Sequence, residues 1–207
     1  MRTYPEIFDQ FRENLKRVEN LVKIYDSHIA RSGSGRRPAR DTDVLRAGIV
    51  LLHATLEDFL RSIAIRATPL DDQELLNQIP LTGTGQKSAN KFFLGALSNH
   101  TQRNVGDLLR QSIQEYHERW TSFNDIGQVK SIIQLIGVDP ESLEFGDLPE
   151  MIKRRHRIVH HADSAEAVGG QGNHKIASLR RDTVELYLRS VRTLILGLEA
   201  QVIALDT

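Results

Sequence analysis

Apolar residues recur at three- and four-residue steps along nearly the whole chain, which is the period of an α-helix, and no convincing alternating stretch marks a strand. From Tyr4 to about Ile29, the residues Ile7, Phe11, Leu15, Val18, Val22 and Tyr25 form one apolar stripe and predict an amphipathic helix. Ser32-Gly33-Ser34-Gly35-Arg36-Arg37-Pro38 then reads as a loop. A second helix is predicted from Thr42 or Asp43, either of which can cap it, to about Ala67. It is apolar around most of its girth, which predicts a central place in a bundle. Its polar exceptions include His53, Glu57 and Arg61, which share one stripe at four-residue spacing.

The stretch from Pro69 to about Pro149 is shorter-grained. Helical pieces are predicted near Asp72–Gln78, Val105–Glu118 and Ile126–Ile136, with Asn124 or Asp125 as a cap and Gly137 as a stop. A further helix is predicted from about Leu148 to Asp163, then a glycine-bearing loop over Ala165–Asn173. The final helix is predicted from about Ser178 to Ala204, with Leu179, Val184, Leu186, Val191, Leu194, Leu198 and Val202 on its apolar side. Together these predict an all-α, up-and-down bundle: one domain over 1–207 with a helical insertion at about 69–147.

Composition narrows the function classes. No cysteine is present among the 207 residues, which removes thiol catalysis, Cys-ligated metals and disulfides and suits a reducing cytoplasm. Met1 to Glu6 has no apolar signal core, and no apolar run is long enough to span a bilayer, so no membrane role is expected. The 27 basic and 27 acidic residues cancel, which argues against a general nucleic-acid coat. The charge is nevertheless uneven. Basic residues gather at Arg31–Arg40, Lys153–Arg157 and Lys175–Arg192, and acids at Asp139–Glu150; a solvated face explains each cluster taken singly.

The segment with chemistry is Arg154-Arg155-His156-Arg157-Ile158-Val159-His160-His161-Ala162-Asp163. RNA can be cut without metal when one group takes the 2′-hydroxyl proton, another stabilises charge on phosphorus, and an acid protonates the leaving 5′-oxygen. Histidine suits the proton transfers, and arginine's planar fork suits the phosphate. Arg155 and His160 are separated by roughly 140° around a helix, so they share no narrow face. A swinging arginine or a second copy of the helix could unite them. A basic helix with a capping histidine and solvated arginines remains the plain alternative.

Arg155-His156-Arg157-Ile158-Val159-His160 resembles the Arg-x4–6-His signature of HEPN domains. His161-Ala162-Asp163, the helix around Leu51–Leu60, and Thr121–Ile126 followed by Leu135–Val138 are similar to the RiboL-PSP and MAE-type branch of that superfamily. The resemblance implies a four- or five-helix domain that dimerises and cuts RNA without metal or cofactor, leaving a 2′,3′-cyclic phosphate and a 5′-hydroxyl. It implies a toxin or antiviral-defence effector, controlled by an antitoxin or sensor protein. It assigns Arg155 to the phosphate and His160 to catalysis, with His156 in the polar place after the arginine; His161 is the alternative in register. Lys153, Arg154 and Arg157 are expected to bind RNA. A tyrosine two residues after the histidine marks the members silenced by nucleotide modification; here that place is Ala162. A catalytically inactive module that binds a protein partner or nucleic acid is the other class the segment fits.

Weaker signals have bland readings beside them. His156 and His160 could ligate a metal at i, i+4, but the intervening glutamate of the helical zinc motif is missing and arginines crowd the pair. Thr82-Gly83-Thr84-Gly85-Gln86-Lys87-Ser88 has the wrong glycine spacing for a phosphate loop and no preceding strand, leaving at most a backbone contact for Lys87. His53 and Glu57 fit a buried pair satisfying each other, or a Glu57 that reaches the motif and orients Arg155 or a histidine. Tyr116, Trp120 and Phe123 fit core, with base stacking as the other reading.

Overall fold

A computed structural model describes residues 2–29, 39–83, 94–164 and 176–205. The described α-helices are α1 (Tyr4–Ile29), α2 (Asp43–Ala67), α3 (Gln73–Leu76), α4 (Val105–Trp120), α5 (Ile126–Leu135), α6 (Leu148–His161) and α7 (Arg181–Leu205). Among the described residues the only extended pairing is one antiparallel bridge, Ser164 to Ile176. The protein is all-α, and α1 and α2 span the stretches their hydrophobic stripes predict.

Side-chain pairings fix the helix directions. Arg12 meets Glu199, Arg192 meets Glu19, and Arg181 Nε donates to Asp26 at 2.7 Å, so α1 and α7 run antiparallel. Phe8 and Phe11 lie 5.2 and 5.3 Å from Phe59, and Arg66 lies over Tyr4, so α1 opposes α2. Asp163, just past α6, meets Arg46 early in α2, whereas Asp147, just before it, donates to Ser190 midway along α7. The result is an up-and-down bundle of α1, α2, α6 and α7, with α2 central as its apolar girth predicts.

Burial explains the arrangement. The main core joins Phe8, Leu15 and Val22 of α1, Leu45, Leu52 and Phe59 of α2, Leu148 and Met151 of α6, and Val184, Val191 and Leu198 of α7. Each fully buried side chain of this size is worth about 1.5–3 kcal/mol over exposure. Phe123, Val129, Ile133 and Val138 enter the same core, so the stretch expected as an insertion is not uniform. Its α4 residues Leu108 and Ile113 are buried apart from that cluster. Asp125 caps α5 by accepting from the Gln128 amide at 3.0 Å, and Gly137, at φ +79°, follows its end, as the sequence predicts.

Three boundaries or placements differ from expectation. The last helix starts at Arg181 rather than Ser178; the carbonyls of Ala177 and Ser178 are instead held by arginine side chains described below. Leu186 is exposed: at about 100° per residue it falls roughly 200° from Val184, off the inward stripe that Tyr187, Leu188 and Ile195 occupy instead. The sixth helix stops at His161, two residues short of Asp163. Residues 31–38 of the basic loop, Thr84 to Ser88 with Lys87, and the glycine-bearing stretch Ala165–Asn173 lie outside the described residues. No helix among the described residues is long and apolar enough to cross a membrane.

Candidate active site

Helix α6 is tethered before it begins. Gly146 adopts φ +48°, and the next amide, of Asp147, donates to Ser190 Oγ at 2.8 Å. Pro149 sits in the first turn, where its missing N–H costs nothing. Leu148, Met151 and Ile152 are buried and Ile158 packs against the core. Arg155 falls three residues after Ile152 and three before Ile158, so it occupies this same inward stripe.

A guanidinium on a core-facing stripe needs partners. Arg155 Nη1 donates to Asn124 Oδ1 at 3.3 Å, and its charge acts on Glu57 of α2. Burial pushes the Glu57 carboxyl up, but His53, Arg155 and Arg61 outweigh it and hold the group below its ordinary value. His53 is fully buried. Its Nε2 lies 3.1 Å from the Phe123 carbonyl, which can only accept, so Nε2 carries a hydrogen and Nδ1 faces Glu57 at 3.5 Å. His53 thus fixes the backbone next to Asn124 and also faces Glu57. Arg155 acts on Glu57 through charge alone, and among the described residues no ion pair joins the two.

The three histidines of α6 occupy its exposed end. His156 and His160 have ring centroids 4.5 Å apart, and His161 lies 5.9 Å from His156. Among the described residues no hydrogen bond joins Arg155 to His160; each is engaged elsewhere. No group of three or more His, Asp or Glu among the described residues is arranged to hold a metal ion. Trp120, on the segment leading to Asn124, is partly exposed, whereas Phe123 is fully buried.

The basic residues expected to bind RNA divide. Arg157 is exposed, and Lys153 is exposed while paired with Glu150 at 2.7 Å. Arg154 is placed otherwise. Only 11% of its side chain is exposed, and its Nη2 donates to Asp163 Oδ2 at 2.6 Å and to the carbonyls of Ala177 and Ser178. An arginine spent on a fully buried carboxylate is not free to contact a phosphate, so the expectation for Arg154 is corrected. Arg46 Nε donates to the same Asp163 oxygen at 2.8 Å, and its Nη2 donates to Ala177 O at 2.7 Å.

Sequence reading missed Arg46, Asp163 and the Asn124 contact. Arg46 had a signal: it is a charged residue in a helix otherwise apolar around most of its girth. Asn124 had none beyond its candidacy as a cap.

An antiparallel helical bundle that presents a guanidinium and three imidazoles on one helix is the class of domain defined by these features. The family model described as RiboL-PSP-HEPN matches residues 12–204, and the chain belongs to that family. No curated protein and no solved structure matches the chain.

Proposed function

We propose that the chain is an endoribonuclease whose reaction is carried by α6. The observation that carries this reading is the placement of Arg155 on the inward stripe, held by Asn124 with its charge acting on Glu57, while His156, His160 and His161 open to solvent at the end of the same helix. Arg155 offers paired donors to the non-bridging oxygens of a phosphate. His160 takes the proton from the 2′-hydroxyl, O2′ forms its bond to phosphorus, and the P–O5′ bond breaks. A second imidazole, from His156, His161 or the other copy in a dimer, returns a proton to the leaving 5′-oxygen. The products are a 2′,3′-cyclic phosphate and a 5′-hydroxyl. The donor set here is guanidinium and imidazole with Glu57 as the facing carboxylate, which is chemistry that needs no divalent ion. A toxin or defence effector under the control of a partner protein is the biological role that fits such an activity.

The test is cleavage of RNA in the presence of chelator, with end-group analysis of the products. Arg155→Ala and His160→Ala should each lower the rate on the order of 100- to 10,000-fold while helical content stays unchanged. If His161→Ala is the inactive variant and His160→Ala is not, the catalytic histidine is His161. A wild-type protein that binds RNA without cutting it favours the inactive binding module instead.

A further inference from the structure

We infer that Asp163 is a positioning residue, which with Arg46 and Arg154 holds the last turn of α6 in a stop that the local sequence disfavours, and so fixes the directions of His160 and His161. The inference rests on the reading of α6 as the catalytic helix for its activity arm alone.

The backbone gives the first reason. Ala162 and Asp163 both adopt left-handed conformations, with φ 46° and 55°, and neither is a glycine. Consecutive left-handed non-glycines are rare, because Cβ crowds the following carbonyl. Local propensity would instead carry the helix on through Ala162, and the hydrophobic pattern predicts a helix to Asp163. The chain resists that continuation. The amides of Ala162 and Asp163 both donate to the Arg157 carbonyl, and Ser164 closes on the His161 carbonyl with its amide at 3.0 Å and its hydroxyl at 2.8 Å.

The carboxylate gives the second reason. Asp163 is fully buried, and one of its oxygens accepts from Arg46 at 2.8 Å and Arg154 at 2.6 Å. The other oxygen is buried without a hydrogen-bond partner. Both arginines also donate to Ala177 O, whose own residue returns an amide to Asp163 O at 2.8 Å. Helix α2, the end of α6 and the approach to α7 therefore meet at one carboxylate. Desolvated ion clusters are a poor means of gaining stability, since apolar side chains of similar volume do as well or better. A glycine at 162 would turn the chain without strain. What the cluster supplies is direction: strain of this kind persists where surrounding contacts over-determine it, characteristically at functional sites. The two residues immediately before the strained pair are His160 and His161.

Two variants of the full chain test this, Asp163→Asn and the double variant Ala162→Gly with Asp163→Asn. Each is compared with wild type at a temperature where circular dichroism shows it folded. In Asp163→Asn, the imidazole resonances of His160 and His161 should move and amide exchange at 160–164 should quicken, while the resonances of His117 stay put. The kcat for RNA should fall roughly a hundredfold with KM unchanged. Glycine at 162 should restore most of the loss by supplying the left-handed turn without the clamp. If Asp163→Asn does not fold, Arg46→Lys takes its place, and the same resonances and exchange rates are read. Unmoved resonances with unchanged exchange in a folded variant overturn the inference, as does a loss of activity that glycine leaves untouched. A wild-type chain that cuts no RNA sinks the ribonuclease reading, and the resonance and exchange measurements still decide the role of Asp163.

Discussion

Arg154 and Arg155 are adjacent in α6, yet their side chains reach opposite ends of the contact with α2. Arg154 closes on Asp163 beside Arg46, and Arg155 bonds Asn124 while its charge lowers the Glu57 carboxyl. From Arg46 to Glu57 is eleven residues, roughly 16 Å of helix. Two identical side chains therefore serve as a buried fastening and as a half-buried group at the site.

The two arginines should separate stability from activity. Arg154→Ala leaves the Asp163 carboxylate with Arg46 alone and should cost on the order of 3 kcal/mol. Arg155→Ala loses one long hydrogen bond and should cost about 1 kcal/mol or less, while lowering the cleavage rate on the order of 100- to 10,000-fold. Urea unfolding alongside an RNA-cleavage assay checks both. Equal destabilisation by the two variants would refute the division.

The active unit is expected to be a two-fold homodimer. Arg155 and His160 are not joined within one chain, and Val159 stands exposed between the basic and imidazole positions of α6. Pairing two α6 helices would let one chain's Arg155 approach the other's His160 and would focus positive potential at the seam of a chain with no net charge. RNA binding should then weaken steeply with salt as counterions are released. Mass measured in dilute solution beside activity decides it; full activity from a monomer excludes this arrangement.

His117 should make the fold sensitive to acid. It is buried, with Nε2 3.2 Å from Thr68 Oγ1 and Nδ1 3.0 Å from Thr121 Oγ1. Burial, and then the charge of Arg61, pushes its pKa down from 6.5 to about 4. The unfolded chain takes up a proton that the folded chain refuses. Stability is therefore fully present above the unfolded value of 6.5 and is lost as the pH falls from there to about 4. The complete loss is on the order of 3 kcal/mol. Unfolding free energies at neutral and mildly acid pH should converge for His117→Gln; an unchanged pH dependence in that variant would reject His117 as the source.

Gly146→Ala should destabilise the protein by about 2 kcal/mol. The glycine's φ of +48° is strained for any Cβ, and an added Cβ would stand 2.6 Å from Ser190 Oγ. That hydroxyl receives the Asp147 amide, so relief by movement would loosen the start of α6. A melting temperature equal to wild type would contradict this.

The bundle and most helix bounds were legible because long apolar stripes report directly on burial. Arg155 stood out in the sequence only as candidate chemistry, and its inward orientation could have been read from its phase with Met151, Ile152 and Ile158. The Arg154 fastening was not legible. Its partners Arg46, Asp163 and Ala177 are far apart in sequence, and no local pattern announces a long-range buried ion cluster. The same cause misplaced two helix ends, because tertiary contacts at residues 162–163 and 177–178 override local propensity.

The bridge between Ser164 and Ile176, reinforced by the Ala177 amide on Asp163, brings two points of the chain to the spacing of paired strands, about 5 Å. Whatever joins them has its ends fixed independently of its own length, and the closure cost changes slowly with the number of residues spanned. Lengthening the connection between the two stems by a few residues should therefore change the unfolding free energy only slightly, which urea unfolding of such an insertion variant beside α6 would measure.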